Sequence, residues 1–212
     1  MVLCLVLTAE PVNATLTVIQ PSNADTWIEG WAPNNNFGDS DHLHVGVHLG
    51  GRLRSLVKFD LSSIPSGSTV NVAYLLLYYY EGEDTGGRTC NAYRVTKDWV
   101  EMQATWNSYK SGSNWDTAGG DYTTDGGSSS TVPANVHQWM IWDVTSIVKA
   151  WIEGGQPNYG FIITEDKSAP YMADFYSKEF TQSNLRPILK VDWSTPTPTP
   201  RPVGGVLVPV NK

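Results

Sequence analysis

Trp115, Tyr122, Tyr109, Trp31 and Trp27 lie in or beside turn-rich stretches of this 212-residue chain, with Asp116, Asp121 and Asn107 near them in sequence. Flat aromatic faces stack against the apolar face of a sugar ring, and carboxylates and amides bond its hydroxyls. The pattern points to a polysaccharide or surface glycan as ligand. Trp115, Tyr122, Asp116, Asp121, Asn107, Tyr109 and Trp31 are the candidate contacts. Trp99, Trp106, Trp142 and Trp151 keep strand or helix rhythm instead and are expected in the core.

Other chemistries find less. His42 and His44 form a His-x-His pair whose imidazoles share one face of a strand, making them the weak candidates for a metal. Solvent-facing polar positions are the ordinary reading, and no metal or other cofactor is expected. The acidic stretches 81–84 and 116–125 offer oxygens for a structural calcium, without the spacing of a calcium loop. Cys90 has no local base, no serine elbow occurs, and phosphate and dinucleotide fingerprints are absent. Asp98 with Glu101, like Arg54, Lys58 and Asp60, reads as an ion pair or a strand-to-loop cap. The chain is not expected to be an enzyme.

The elements that must position these residues are short strands between Gly, Pro, Asn and Ser clusters, about eight to ten of them. Strand rhythm runs through 43–49, 56–61, 72–80, 90–95, 138–143, 160–164, 174–177 and 187–193. Segment 72–80 is apolar on both faces and reads as a central strand covered on two sides. One short α-helix is expected at about 143–153: Asp143 can cap it, Val144, Ile147, Val148 and Trp151 form its stripe, and Gly154 and Gly155 stop it. Residues 111–131 read as a long loop and the first place to look for function.

Composition agrees. Fourteen Lys plus Arg face 21 Asp plus Glu, a net charge of −7 that gives no basic field for nucleic acid. Only 17% of residues are charged, while 9 Trp, 10 Tyr, 19 Gly and 13 Pro exclude a helical bundle or a disordered chain. The fold class is therefore all-β, an antiparallel sandwich of jelly-roll type with one short helix.

Five motifs in order sharpen this reading. They are Asn36-Phe37-Gly38 with Arg54 to Pro65; Thr96, Asp98, Trp99, Glu101 and Ala104 to Asn107; Trp115 with Gly119 to Tyr122; Asp143 to Thr145, Trp151, Gly154 and Asn158 to Phe161; and Ser177, Glu179, Arg186, Pro187, Leu189 and Val191. Over about residues 20 to 193 the chain resembles the DNRLRE domains. The resemblance implies a non-catalytic jelly-roll module of secreted or cell-surface proteins, some of whose relatives bind polysaccharide, alginate included. The acidic, lysine-poor composition here argues against an acidic polymer.

The expected organisation is an apolar N-terminal segment over 1–19, a sandwich over 20–193, a Pro/Thr linker over 194–202 and an apolar arm over 203–212. The first segment reads as the tail half of a signal peptide or as an arm, and no membrane span is expected. The last carries Val206, Leu207, Val208 and Val210, which could add as a strand to another copy of the chain. Two functions follow from these features: an extracellular, secreted or surface-displayed glycan-binding or adhesive module, and a structural subunit of a filament, surface layer or virion.

Overall fold

Alternation of apolar and polar residues over short runs builds strands, and the computed structural model places them across residues 14–83, 87–165 and 171–195, the residues described. The arm residues Val206, Leu207, Val208 and Val210 lie outside them. In chain order the elements are β1 (Ala14–Ile19), β2 (Ala24–Glu29), β3 (His42–His48), β4 (Gly51–Lys58), β5 (Thr69–Glu83), β6 (Thr89–Val95), β7 (Ser108–Lys110), β8 (Ser113–Asn114), β9 (Tyr122–Thr131), β10 (Gln138–Asp143), α1 (Thr145–Ile152), β11 (Phe161–Thr164), β12 (Tyr171–Tyr176) and β13 (Ile188–Ser194).

One antiparallel sheet runs β1-β13-β5-β12-β3-β4-β11-β6-β9, with β10 added to β5 and β2 to β4, and β7 and β8 pair separately. The sheet curls over on itself like a sandwich, so that its concave face closes on one core. Leu75, Leu77 and Tyr79 of β5 meet Trp142 of β10, Phe161 and Ile163 of β11 and Phe175 of β12 there, each at most 1% exposed. Such side chains contribute about 1.5–3 kcal/mol each by leaving water. The all-β fold with a single short helix is the one the sequence implies.

Helix α1 seals this core with Ile147, Val148 and Trp151. Asp143 accepts the Thr145 backbone N–H at 3.0 Å just ahead of it, and the Thr145 hydroxyl oxygen accepts the Ala73 N–H at 2.9 Å. Helix and β5 are thereby locked together.

A second, smaller core lies on the other face of β2, β4, β6 and β11. Ile28, Leu56, Val95 and Ile162 project there and are roofed by Trp99, Ala104 and Trp115 from the segment after β6. The roof is pinned by indoles: Trp99 donates to the Tyr159 carbonyl at 2.7 Å and Trp115 to the Thr105 carbonyl at 2.9 Å.

Two expectations are corrected. The stretch 111–131 is not one loop, because β8 and the ten-residue β9 occupy much of it. Strand β9 ends the sheet path against β6; with so little of it buried, its Ser, Gly and Thr residues need no apolar alternation. Strand β5 is not covered on two sides. Its Ala73, Leu75, Leu77 and Tyr79 face the core, whereas Tyr74 is 38% exposed and Tyr78 and Tyr80 are half-buried on the outer face.

Candidate functional site

Strand alternation sends Trp27 and Glu29 of β2 to one face, and continues the spacing to Trp31 just past its end. They line a groove of about 400 Å³ with Asn35 and Phe37 of the following loop, His44 and His48 of β3, Leu53 of β4 and Met172 of β12. The loop is held from below. The Asn36 side-chain amide donates to the carbonyls of Glu101 and Ala104, both at 2.7 Å, and the Asn107 amide donates to the Asn34 side-chain oxygen at 2.9 Å. Gly38 passes so close that a Cβ would meet the Glu101 carbonyl oxygen at 2.6 Å, which accounts for an Asn-Phe-Gly motif here. A two-residue turn with Leu49 at φ 48° and Gly50 at φ 79° joins β3 to β4 and sets the register that brings His48 and Leu53 to the groove.

Inside the groove Phe37 stacks on Trp27 with centroids 3.6 Å apart, and His44 meets the Trp27 ring edge-on at 4.6 Å. His44 is oriented by donating Nδ1–H to Asp174 at 2.6 Å. Three groups remain uncommitted. Glu29 is 4% exposed, yet its carboxylate has no hydrogen-bond or ion-pair partner among the described residues. The Trp27 Nε1–H is buried and equally without a partner. Trp31 is 53% exposed. The groove thus presents a carboxylate with no protein partner beside an exposed indole face, while the Trp27 Nε1–H is shut inside its wall.

The groove continues into a ladder of rings on the outer sheet face. His42 lies 6.3 Å from His44 and 5.1 Å from Tyr80; Tyr80 stacks on Tyr176 at 4.3 Å, Tyr176 on Phe180 at 3.4 Å, and Tyr78 touches Tyr176 and Trp139 at 5.7 and 5.3 Å. Rings that stack on one another spend their faces among themselves and offer edges and hydroxyls. Burial raises the Tyr80 and Tyr176 phenols above their ordinary range, so they stay neutral donors.

Beneath the groove, Asp25 sits at 1% exposure on β2. Its Oδ2 accepts from the Ser22 hydroxyl and from the Lys178 backbone N–H, while Oδ1 is buried without a partner. The Asp25 N–H donates to Glu101, and Lys178 bridges Glu101 and Glu179. Burial, reinforced by the charges of Glu179 and Glu101 and opposed by the two hydrogen bonds, lifts the Asp25 carboxyl to about 7. Glu101 thus reads as the structural tie that the sequence suggested, as do Lys58 with Asp98 at 3.9 Å and Asp60 capping Ser62 at 2.9 Å.

The residues singled out from sequence divide among three places. Tyr122, Asp116 and Asp121 gather around a polar cleft of about 340 Å³ with Arg54, Thr96 and Thr117. There Tyr122 stacks on Tyr93 at 5.3 Å, and the Arg54 guanidinium lies 5.1 Å from the Trp106 ring. The Asp121 carboxylate accepts the backbone N–H groups of Asp116 and Thr117 at 2.7 and 2.9 Å, and Lys97 pairs with Asp116 at 2.9 Å. Trp31 belongs to the groove instead. Trp115 is a correction: it is 5% exposed inside the second core, its N–H satisfied by Thr105, and offers no open face. Tyr109 packs beside it at 5.6 Å, and Asn107 ties the groove loop.

His42 and His44 do share a face, with each Nδ1 held by a carboxylate, Asp41 and Asp174 respectively. Among the described residues no three His, Cys, Asp or Glu side chains converge as a metal-ligating group. Glu29, Met172, Tyr176 and Phe180 went unnoticed in the sequence, while Phe37 stood out only as part of the Asn-Phe-Gly motif, His48 only beside the His-x-His pair, and Tyr78 and Tyr80 only as strand residues. The signal for the groove was present: Trp27, Glu29 and Trp31 recur at even spacing, the period of one strand face.

The family model for carbohydrate-binding module family 96 matches residues 17–192, and the chain belongs to that family. The non-catalytic sandwich implied by the DNRLRE-like motifs is compatible with it. No curated protein matches the chain. Among the described residues no helix is long and apolar enough to cross a membrane.

Proposed function

We propose that the chain binds a polysaccharide or surface glycan outside the cell, without acting on it chemically, through the groove of Trp27, Glu29, Trp31 and Phe37. One pyranose packs its apolar face on Trp31, while its hydroxyls donate to Glu29. The observation that carries this reading is the pairing of a carboxylate without a protein partner, Glu29, with an exposed tryptophan, Trp31, in the same groove. The phenol hydroxyls of Tyr78, Tyr80 and Tyr176 extend the surface along which a chain of sugars can lie.

Affinity electrophoresis in gels cast with different polysaccharides tests the proposal. Trp31→Ala is expected to lose at least about tenfold in affinity for whichever polymer retards the parent. Equal retardation of parent and variant refutes the groove.

A second reading has its own observation, because Tyr122, Asp116 and Asp121 meet in the polar cleft. It requires Tyr122→Ala to abolish retardation while Trp31→Ala does not.

A further inference from the structure

The groove is aromatic and acidic at once. Its lining holds Trp27, Trp31 and Phe37 around one carboxylate, Glu29, and no Lys or Arg. Its other titratable members are His44, oriented by Asp174, and His48, which is exposed. The Glu29 carboxylate has no partner among the described residues and is not sealed away from the groove, so it is open to a counter-charge. The group that suits it best carries positive charge, makes hydrogen bonds and tolerates aromatic rings beside it. An ammonium does all three, since ring faces attract cations and a charged donor strengthens each bond to the carboxylate. A sugar carboxylate or sulfate brings a second negative charge beside Glu29, where no Lys or Arg lines the wall.

We infer that the groove selects an amino sugar with a free, protonated amine, as in a deacetylated β-linked glucosamine polymer, over neutral sugars and against uronates. This rests on the groove being the glycan site. The ammonium lies against Glu29 while the ring packs on Trp31, so charge and stacking are read by different residues and can be removed separately.

The experiment is titration calorimetry of the full chain, in mildly acidic buffer, with four β-1,4 oligomers of equal length: glucosamine, N-acetylglucosamine, glucose and a uronate. An oligolysine of similar charge serves as the control for simple attraction to an acidic protein. The glucosamine oligomer is expected to bind about ten- to a hundredfold more tightly than the two neutral oligomers, and the uronate not measurably. Glu29→Gln, close in shape and checked for folding by its thermal transition, is expected to erase that preference, bringing the glucosamine oligomer down to the affinity of the glucose oligomer for the same variant. Oligolysine is expected to bind parent and Glu29→Gln alike, and weakly.

Equal affinity for the glucosamine and glucose oligomers, with Trp31→Ala abolishing both, overturns the charge selection and leaves the glycan site standing. Preference for glucosamine that survives Glu29→Gln, or that oligolysine reproduces, also overturns it. Binding of none of the four oligomers to the folded parent overturns the selection and counts against the groove as a glycan site.

Discussion

Asp25→Asn removes a carboxyl that the fold holds at about 7 against an ordinary 3.8, chiefly by burial. The folded state keeps its proton to higher pH than the unfolded chain does. Stability attached to Asp25 is therefore fully present in acid below its ordinary value. It drains away as pH rises through the window up to about 7, where the folded protein must bury a charge. A gap of about three units corresponds to about 4 kcal/mol once that window is passed.

Asparagine keeps an acceptor for the Ser22 hydroxyl and the Lys178 N–H and has no charge to bury. Urea unfolding of parent and variant, from about pH 4 to about pH 8, reads the difference directly. The two are expected to be similar at the acid end. The variant should become the more stable by up to about 4 kcal/mol at the alkaline end. A difference independent of pH, or a parent that gains on the variant with rising pH, refutes the reasoning.

Other substitutions separate architecture from binding. Trp115→Ala is expected to cost about 3–5 kcal/mol in urea unfolding, since it opens the second core and orphans the Thr105 carbonyl. Trp31→Ala, at 53% exposure, should change stability by no more than about 0.5 kcal/mol while weakening glycan binding. Gly38→Ala should shift the thermal midpoint down and weaken binding together, since its Cβ would meet the Glu101 carbonyl oxygen at 2.6 Å and push the groove loop away.

The fold was legible because strand rhythm is local. His42 to His48 alternates on the sequence as it does on β3, and the stripe of Ile147, Val148 and Trp151 marks α1 as it buries. What is not local went astray. Tyr74, Tyr78 and Tyr80 are as apolar on paper as Leu75 and Leu77, and only the curl of the sheet decides which side is the outside. Trp115 sits among Gly, Ser and Asp residues that announce a surface loop, yet that segment is the roof of a second core, which no periodicity records. The site was half legible. Trp31 carried its signal in its residue type and even spacing, whereas the grouping of Glu29 with Phe37, His44 and Met172 exists only because β2, β3, β12 and the loop after β2 come together.

The chain has 9 Trp, and each indole N–H gives its own proton resonance, so the ligand can be located by nuclear magnetic resonance without choosing a site beforehand. Titration with a bound oligosaccharide is expected to move the Trp31 indole signal most, as its exposed ring is covered, and the Trp27 signal with it, while Trp142 and Trp115 in the two cores stay fixed. Movement confined to Trp106 beside the polar cleft, with Trp27 and Trp31 unchanged, would contradict the groove as the carbohydrate site.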